Sequence, residues 1–121
     1  PHIDLTDSTY GIWFFDTLDT PDRYNGKEIS FLAHVAKPNG FHEGCFVPGR
    51  HAMTCCAEDI AFLGFIAKYE NAKDIKDGEW YNVTATVKYE FWADYKGEGP
   101  VLYISSVTPA RAPKDEIINL V

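Results

Sequence analysis

The longest alternating segment of the sequence runs Tyr81-Asn82-Val83-Thr84-Ala85-Thr86-Val87-Lys88-Tyr89-Glu90-Phe91. Apolar and polar side chains alternate through the whole segment, and β-branched and aromatic residues are frequent in it. This period of two predicts a β-strand with one face in a hydrophobic core. We expect Tyr89 and Phe91 to lie on the buried face together with Val83 and Val87, because all four fall on the same side of the strand.

Turn signals flank this strand and divide the rest of the chain into further strands. Asp77-Gly78 precedes it, and residues 96–100 (Lys-Gly-Glu-Gly-Pro) follow it, which predicts a hairpin with a loop of about eight residues. Pro48-Gly49 indicates a strand that is bent, bulged or at an edge. A short helical piece is expected between residues 70 and 77. The predicted strands lie at 27–37, 45–54, 62–69, 80–91 and 101–108.

This order of elements predicts a mainly β fold. Five strands with a helical piece between the third and the fourth are typical of an OB-fold, a five-stranded Greek-key barrel, and a β-sandwich is the alternative. We assign the barrel to residues 23–110. Residues 1–22 form an acidic lead-in with a short helix at 11–18, and residues 111–121 form a C-terminal tail.

The charge of the chain bears on its partners. Its 121 residues suit one domain, and 11 Lys and Arg against 18 Asp and Glu give a net charge of −7. Affinity for nucleic acid comes mainly from Lys and Arg, so we expect no nucleic-acid partner. Five Asp precede the first base, Arg23, so we expect a solvated lead-in and an only mildly acidic barrel. Binding of single-stranded nucleic acid or an oligosaccharide on aromatic side chains therefore remains the alternative function of such a barrel.

Residues 50–59 (Arg-His-Ala-Met-Thr-Cys-Cys-Ala-Glu-Asp) hold the most unusual side chains, two adjacent cysteines followed by acids. A turn after Cys56 would bring Cys55, Cys56 and Asp59 together, with His51 as a further ligand. Zinc takes four ligands of these types in a tetrahedron, and thiolates also suit Cu(I). We predict that these four residues bind a metal ion, zinc first, or form a redox-sensitive element. The alternative is that the cysteines pack in the core as small apolar side chains.

The sequence gives less support to other roles of the cysteines. Three cysteines leave one unpaired, so the chain is not a disulfide framework. A cysteine-dependent enzyme is a further alternative, because cationic neighbours such as Arg50 and His51 lower a thiol pKa. Since the spacing assigns neither an orienting acid nor an oxyanion hole, we predict a non-enzymatic protein without catalytic residues. We expect Arg50 to pair with Asp59 or another acid across the turn, and His34 to lie on the surface.

A series of motifs supports a family resemblance. The series is Tyr24-Asn25-Gly26-Lys27, Phe46-Val47-Pro48-Gly49-Arg50, Cys55-Cys56-Ala57-Glu58-Asp59, Leu63-Gly64-Phe65, Trp80-Tyr81-Asn82-Val83 and the pair Pro109 and Pro113. In this order it resembles the soluble C-terminal domain of the YcgQ-like family, uncharacterised membrane proteins described as permease subunits. The most specific part is the pattern of Arg50, Cys55, Cys56 and Asp59.

The resemblance implies a location and a partner. Members of the family carry N-terminal membrane helices before an OB-like domain, accompany a permease, and have been linked to metal, zinc in particular. We therefore expect a non-enzymatic accessory domain of a membrane permease system. We expect it to be extracytoplasmic and tethered to the cell membrane, with the permease or the membrane-anchored portion of the same protein as partner. No apolar run approaches the about 18 residues of a spanning helix, and Pro1 in place of Met predicts that the chain is part of a longer protein.

Overall fold

The structure, a computed structural model, describes residues 2–54 and 58–120. Two α-helices precede most of the strands: α1 (Tyr10–Asp19) and α2 (Pro21–Tyr24). Short 3₁₀ turns lie at Ala72–Asp74 and Ala93–Tyr95. The strands are β1 (His2–Asp4), β2 (Glu28–Ala36), β3 (Cys45–Met53), β4 (Ile60–Gly64), β5 (Ile66–Lys68), β6 (Trp80–Trp92), β7 (Gly97–Pro109) and β8 (Ile117–Asn119).

Five strands close into a barrel when β4 and β5 are counted as one. β2 pairs with β3 on one side and with β6 on the other. β6 pairs with β7, β7 runs parallel to β5, and β5 pairs with β3, which completes the circle. β4 and β5 act as one strand interrupted at Phe65, because both pair with β3. This is the strand order of an OB-fold, so the predicted mainly β Greek-key barrel is confirmed.

The lead-in helix is part of the hydrophobic core. Trp13 and Phe14 of α1 are buried, and the Phe14 ring stacks on Phe65 with ring centres 4.4 Å apart. The Tyr10 hydroxyl donates a hydrogen bond to the carbonyl oxygen of Leu63 at 2.8 Å. The predicted helix is confirmed, but the expectation of a merely solvated lead-in is wrong. The aromatic face of α1 is buried against the barrel, while most of the Asp side chains remain exposed.

The strand β6 is buried as predicted only over its first half. Tyr81, Val83 and Val87 are buried, but Tyr89 is half-buried and Phe91 is 66% exposed. The prediction that Tyr89 and Phe91 belong to the core is wrong, because β2 pairs with β6 no further than Thr86. β7 still pairs with β5 as far as Val101, the partner of Lys88, and beyond Lys88 the strands β6 and β7 continue as a two-stranded hairpin. Their pairing extends to the end of β6, so the connection is 93–96 and shorter than expected.

The predicted C-terminal tail contains a short strand that the sequence pattern does not predict. Residues 117–119 form β8, which runs parallel to β3. Ile118 is buried in the main core, and the backbone amide of Leu120 donates to the carbonyl oxygen of Met53 at 3.0 Å. The end of the tail therefore lies beside the strand that carries Arg50 and His51.

Candidate functional site

Arg50 of β3 is the largest fully buried side chain among the described residues, at 2% exposure. Its Nη1 donates to Asp7 Oδ1 at 2.7 Å, and its Nη2 lies within 3.4 Å of the carbonyl oxygens of Asp115 and Glu116. The guanidinium carbon is 5.3 Å from the ring centre of Trp80. Arg50 thus joins the lead-in to the tail, and the acid that pairs with it is Asp7 rather than one across the turn.

Beside Arg50, two histidines from neighbouring strands share one cleft. His34 in β2 opposes Gly49 in β3, so His51 is its diagonal neighbour on the same face of the sheet. Their ring centres are 5.5 Å apart. The cleft has a volume of about 500 Å³ and is also lined by Ile60 and by residues 114–117. We call it the His34–His51 cleft.

The His34 ring is held in one orientation by two contacts. It stacks flat on the Trp80 ring, with centres 4.4 Å apart and planes 2° from parallel. Its Nε2 lies 3.1 Å from the carbonyl oxygen of Gly78. Because a carbonyl oxygen only accepts, Nε2 carries the hydrogen, and in the neutral ring Nδ1 keeps a lone pair. Such an outer hydrogen bond is what orients metal-binding histidines.

His51 is kept neutral by its surroundings. Burial of the ring, followed by repulsion from His34, lowers the pKa of His51 below its ordinary value, and the negative charge of Glu116 opposes this shift. The ring also lies 5.0 Å from Phe62, its partner residue on β4. A neutral imidazole is the form that binds a metal ion, so the ring of His51 is in a ligating state near neutral pH.

Comparison with known proteins places the chain in a family. Residues 1–118 match the DUF1980 C-terminal domain. The chain belongs to this family. It is also 23% identical over 116 residues to the UPF0703 protein YcgQ of Bacillus subtilis (strain 168), a match that covers 96% of this chain and 41% of that protein. The predicted resemblance to the YcgQ-like family is confirmed, and the chain spans about two fifths of the length of this relative.

The relative YcgQ is longer than the DUF1980 C-terminal domain that it shares with this chain. YcgQ is more than twice as long as the matched region, since the match covers 41% of it. Within residues 2–54 and 58–120, no helix is long and apolar enough to cross a bilayer.

The structure of this DUF1980 domain places only part of the predicted metal site. Cys55 and Cys56 lie outside the described residues. The carbonyl oxygen of Asp59 accepts a hydrogen bond from the amide of Thr54 at 3.3 Å, next to the paired residues Met53 and Ile60. His51 precedes Met53 by two residues, about 7 Å along the strand. In the described parts of the chain, no three His, Cys, Asp or Glu side chains converge as metal ligands.

The sequence pattern does not predict that His34 is a partner of His51. His34 was expected on the surface, and its side chain is in fact half-buried under the stacking contact with Trp80. In the sequence, both histidines stand at polar positions of predicted strands, and this pattern indicates that each side chain lies on the outer face of its strand. Their proximity depends on the register between β2 and β3, however, and a single sequence does not specify that register.

The third cysteine, Cys45, does not line the His34–His51 cleft. Cys45 is buried at the start of β3 against Ile66 and Val101. Burial raises the pKa of the Cys45 thiol, with Lys68 acting weakly in the opposite direction. A raised pKa keeps this sulfur protonated and unreactive near neutral pH.

Proposed function

We propose that this DUF1980 C-terminal domain is a non-enzymatic, zinc-binding accessory domain of a membrane permease system. The ligands are the imidazoles of His34 and His51 and the thiolates of Cys55 and Cys56. His34 replaces Asp59 in the ligand set predicted from sequence. Two imidazoles and two thiolates are a common tetrahedral set for structural zinc.

The observation that carries this proposal is the distance between the two histidine rings. Zinc–nitrogen bonds of about 2 Å at a tetrahedral angle place the centres of two ligating rings about 5 Å apart. The rings of His34 and His51 are 5.5 Å apart. His51 is neutral near pH 7 because its pKa is lowered, and the hydrogen bond from His34 to Gly78 orients the second ring. The spacing of the two ring centres therefore supports the binding of one ion by both rings.

Zinc titration of the reduced domain tests the metal. A ligand that binds only the native state stabilises it, by about 2.7 kcal/mol at a free concentration 100 times Kd. We expect the melting temperature to rise with zinc concentration in the wild type. The rise should be absent in His51→Ala and in the double variant Cys55→Ser, Cys56→Ser. An unchanged melting temperature in the wild type would contradict the proposal.

Two further variants assign the fourth ligand. His34→Ala should abolish tight zinc binding, whereas Asp59→Asn should retain it. His42→Ala is the matched control, because His42 is an exposed histidine that pairs with Asp94 at 2.8 Å and does not line the cleft. Loss of binding in Asp59→Asn with retention in His34→Ala would restore Asp59 as the ligand.

The permease association rests on the family rather than on the cleft. The relative YcgQ is longer than the matched domain, which supports the proposal that the domain belongs to a longer protein; the membrane anchor in this proposal comes from the resemblance to the YcgQ-like family. We expect the domain in that protein to lie on the extracytoplasmic side and to contact a permease or the anchored portion of its own chain. Protease treatment of intact cells expressing the full-length protein should digest the domain. Protection of the domain, with digestion only after lysis, would refute the location.

A further inference from the structure

A second groove lies away from the His34–His51 cleft and shares no lining residue with it. It runs between the loop at 37–44 and the far end of the β6–β7 hairpin, and its volume is about 630 Å³. An adjoining cavity of about 600 Å³ is lined partly by the same loop. We call the first groove, of about 630 Å³, the Trp92 groove. Its lining includes the side chains of His42, Lys68, Trp92 and Tyr103. Glu90 and Asp94 are hydrogen-bonded to these lining residues.

The Trp92 ring is fixed by its neighbours. His42 packs edge-on against it, with ring centres 5.2 Å apart, and Asp94 accepts a hydrogen bond from His42 at 2.8 Å. The Lys68 ammonium lies 5.6 Å from the Trp92 ring and 5.3 Å from the Tyr103 ring. Both rings are partly exposed, so the groove offers aromatic surface that is already ordered.

Next to these rings, Lys68 and Glu90 form an ion pair. Glu90 accepts hydrogen bonds from the Tyr103 hydroxyl at 2.7 Å and from Lys68 Nζ at 3.2 Å. Lys68 and Glu90 are both charged near neutral pH, since the pKa of the first is raised and that of the second is lowered by these contacts. A donor and an acceptor of opposite charge therefore lie side by side with no net charge.

The charges exclude two ligand classes. Phosphate groups are disfavoured because the Lys68 ammonium is already paired with Glu90 at 3.2 Å, and because Glu43 and Glu70 also line the groove. Small organic cations are disfavoured because the Lys68 ammonium already occupies the space over both rings. A ligand that suits the groove is neutral, has an apolar face for Trp92 and carries hydroxyl groups that both donate and accept.

We propose that the Trp92 groove binds a neutral carbohydrate of a few sugar rings. One face of a sugar ring is made of C–H groups and packs on the Trp92 indole, as apolar surface packs on aromatic rings elsewhere. Neighbouring hydroxyls donate to Glu90 and accept from Lys68, and hydrogen bonds to charged groups are the stronger kind. A volume of about 630 Å³ lies within the range of small-molecule sites.

The test is a titration followed by ¹H–¹⁵N NMR, using cellotriose, N,N′,N″-triacetylchitotriose, maltotriose and mannotriose at millimolar concentrations. We expect at least one of them to shift the indole N–H signal of Trp92 and the amide signals of Lys68 and Tyr103. Trp92→Ala should weaken binding about tenfold or more, which corresponds to 1.4 kcal/mol. Glu90→Gln should weaken it as well, while leaving the Trp92 ring in place.

Phe91→Ala is the matched control, since Phe91 is the adjacent aromatic residue and is exposed outside the groove. It should bind like the wild type. No shift with any of the four sugars overturns the proposal, as does an equal loss in Phe91→Ala. Oligothymidylate and tetramethylammonium are the competing probes, and groove shifts at lower concentration with either one overturn it too. Binding should persist in the double variant Cys55→Ser, Cys56→Ser, which separates this site from the proposed zinc site.

Discussion

Arg50 and Asp7 form an ion pair across 43 residues of sequence, with Nη1 and Oδ1 2.7 Å apart. Arg50 is almost fully buried, whereas the Asp7 side chain is 59% exposed. A buried guanidinium needs hydrogen-bond acceptors, because an unpaired buried charge is strongly destabilising. Asp7 and the two carbonyl oxygens of the tail supply them for Nη1 and Nη2, so this one side chain links the two ends of the chain.

Asp7→Ala should lower the free energy of unfolding by about 1–3 kcal/mol, the cost of leaving a buried donor unpaired. We expect less than the loss for a fully buried pair, because Asp7 is partly in water. Urea denaturation measures the effect. Asp4→Ala is the control, since Asp4 is an exposed lead-in acid that contacts His2, and it should change stability by about 0.5 kcal/mol or less. Equal effects of the two variants would contradict the structural role of the pair.

The sequence predicts the barrel well and its terminal additions poorly, for a physical reason. Strand periodicity and turn residues are local signals, and they place β2, β3, β6 and β7 in nearly the right positions. The pairing of Arg50 with Asp7, the addition of β8 to β3 and the meeting of His34 with His51 are long-range contacts. They depend on strand register and on tertiary packing, which no local pattern contains. The exposure of Phe91 has the same origin. Alternation predicts which side chains share one face of β6, but it does not predict how far the neighbouring strand β2 extends along it.

Gly49→Ala tests the close approach of β3 and β4. A Cβ atom at position 49 would lie 2.4 Å from the carbonyl oxygen of Leu63 and 2.8 Å from the Phe62 ring. The strands must move apart to accept it, and overpacking of this kind costs about 1–3 kcal/mol. Gly97→Ala is the matched control, because a Cβ there meets nothing within 4 Å. Thermal unfolding should show a lower melting temperature for the first variant alone, and equal melting temperatures would argue against the tight pairing.

Trp13→Ala tests whether the lead-in helix is part of the core. Trp13 is 2% exposed and packs against Phe31 and Phe65. Loss of a buried aromatic side chain costs about 3–5 kcal/mol. Its neighbour Ile12 is 68% exposed, so Ile12→Ala should be nearly neutral. Chemical denaturation of both variants provides the comparison, and a small effect at Trp13 would mean that the barrel folds without α1.

The lowered pKa of His51 predicts how stability depends on pH. The folded state binds this proton more weakly than the unfolded chain, where the pKa is near 6.5. As the pH falls below that value, the unfolded chain takes up the proton first, so the free energy of unfolding falls until the folded pKa is passed. More than about one pH unit above 6.5 both states are mostly neutral, and this contribution is nearly constant.

His51→Gln should remove this part of the pH dependence. The difference in unfolding free energy between the wild type and His51→Gln should be flat at mildly alkaline pH and should fall on acidification below about pH 6.5. Other groups whose pKa is shifted, such as His2 and Asp16, contribute equally to the unfolding free energy of both proteins, so their contributions cancel in the difference. Parallel curves over the whole range would contradict a lowered pKa at His51. His34→Gln supplies an independent measurement, because removing the repulsion from His34 should raise the pKa of His51 in an NMR titration of its ring protons.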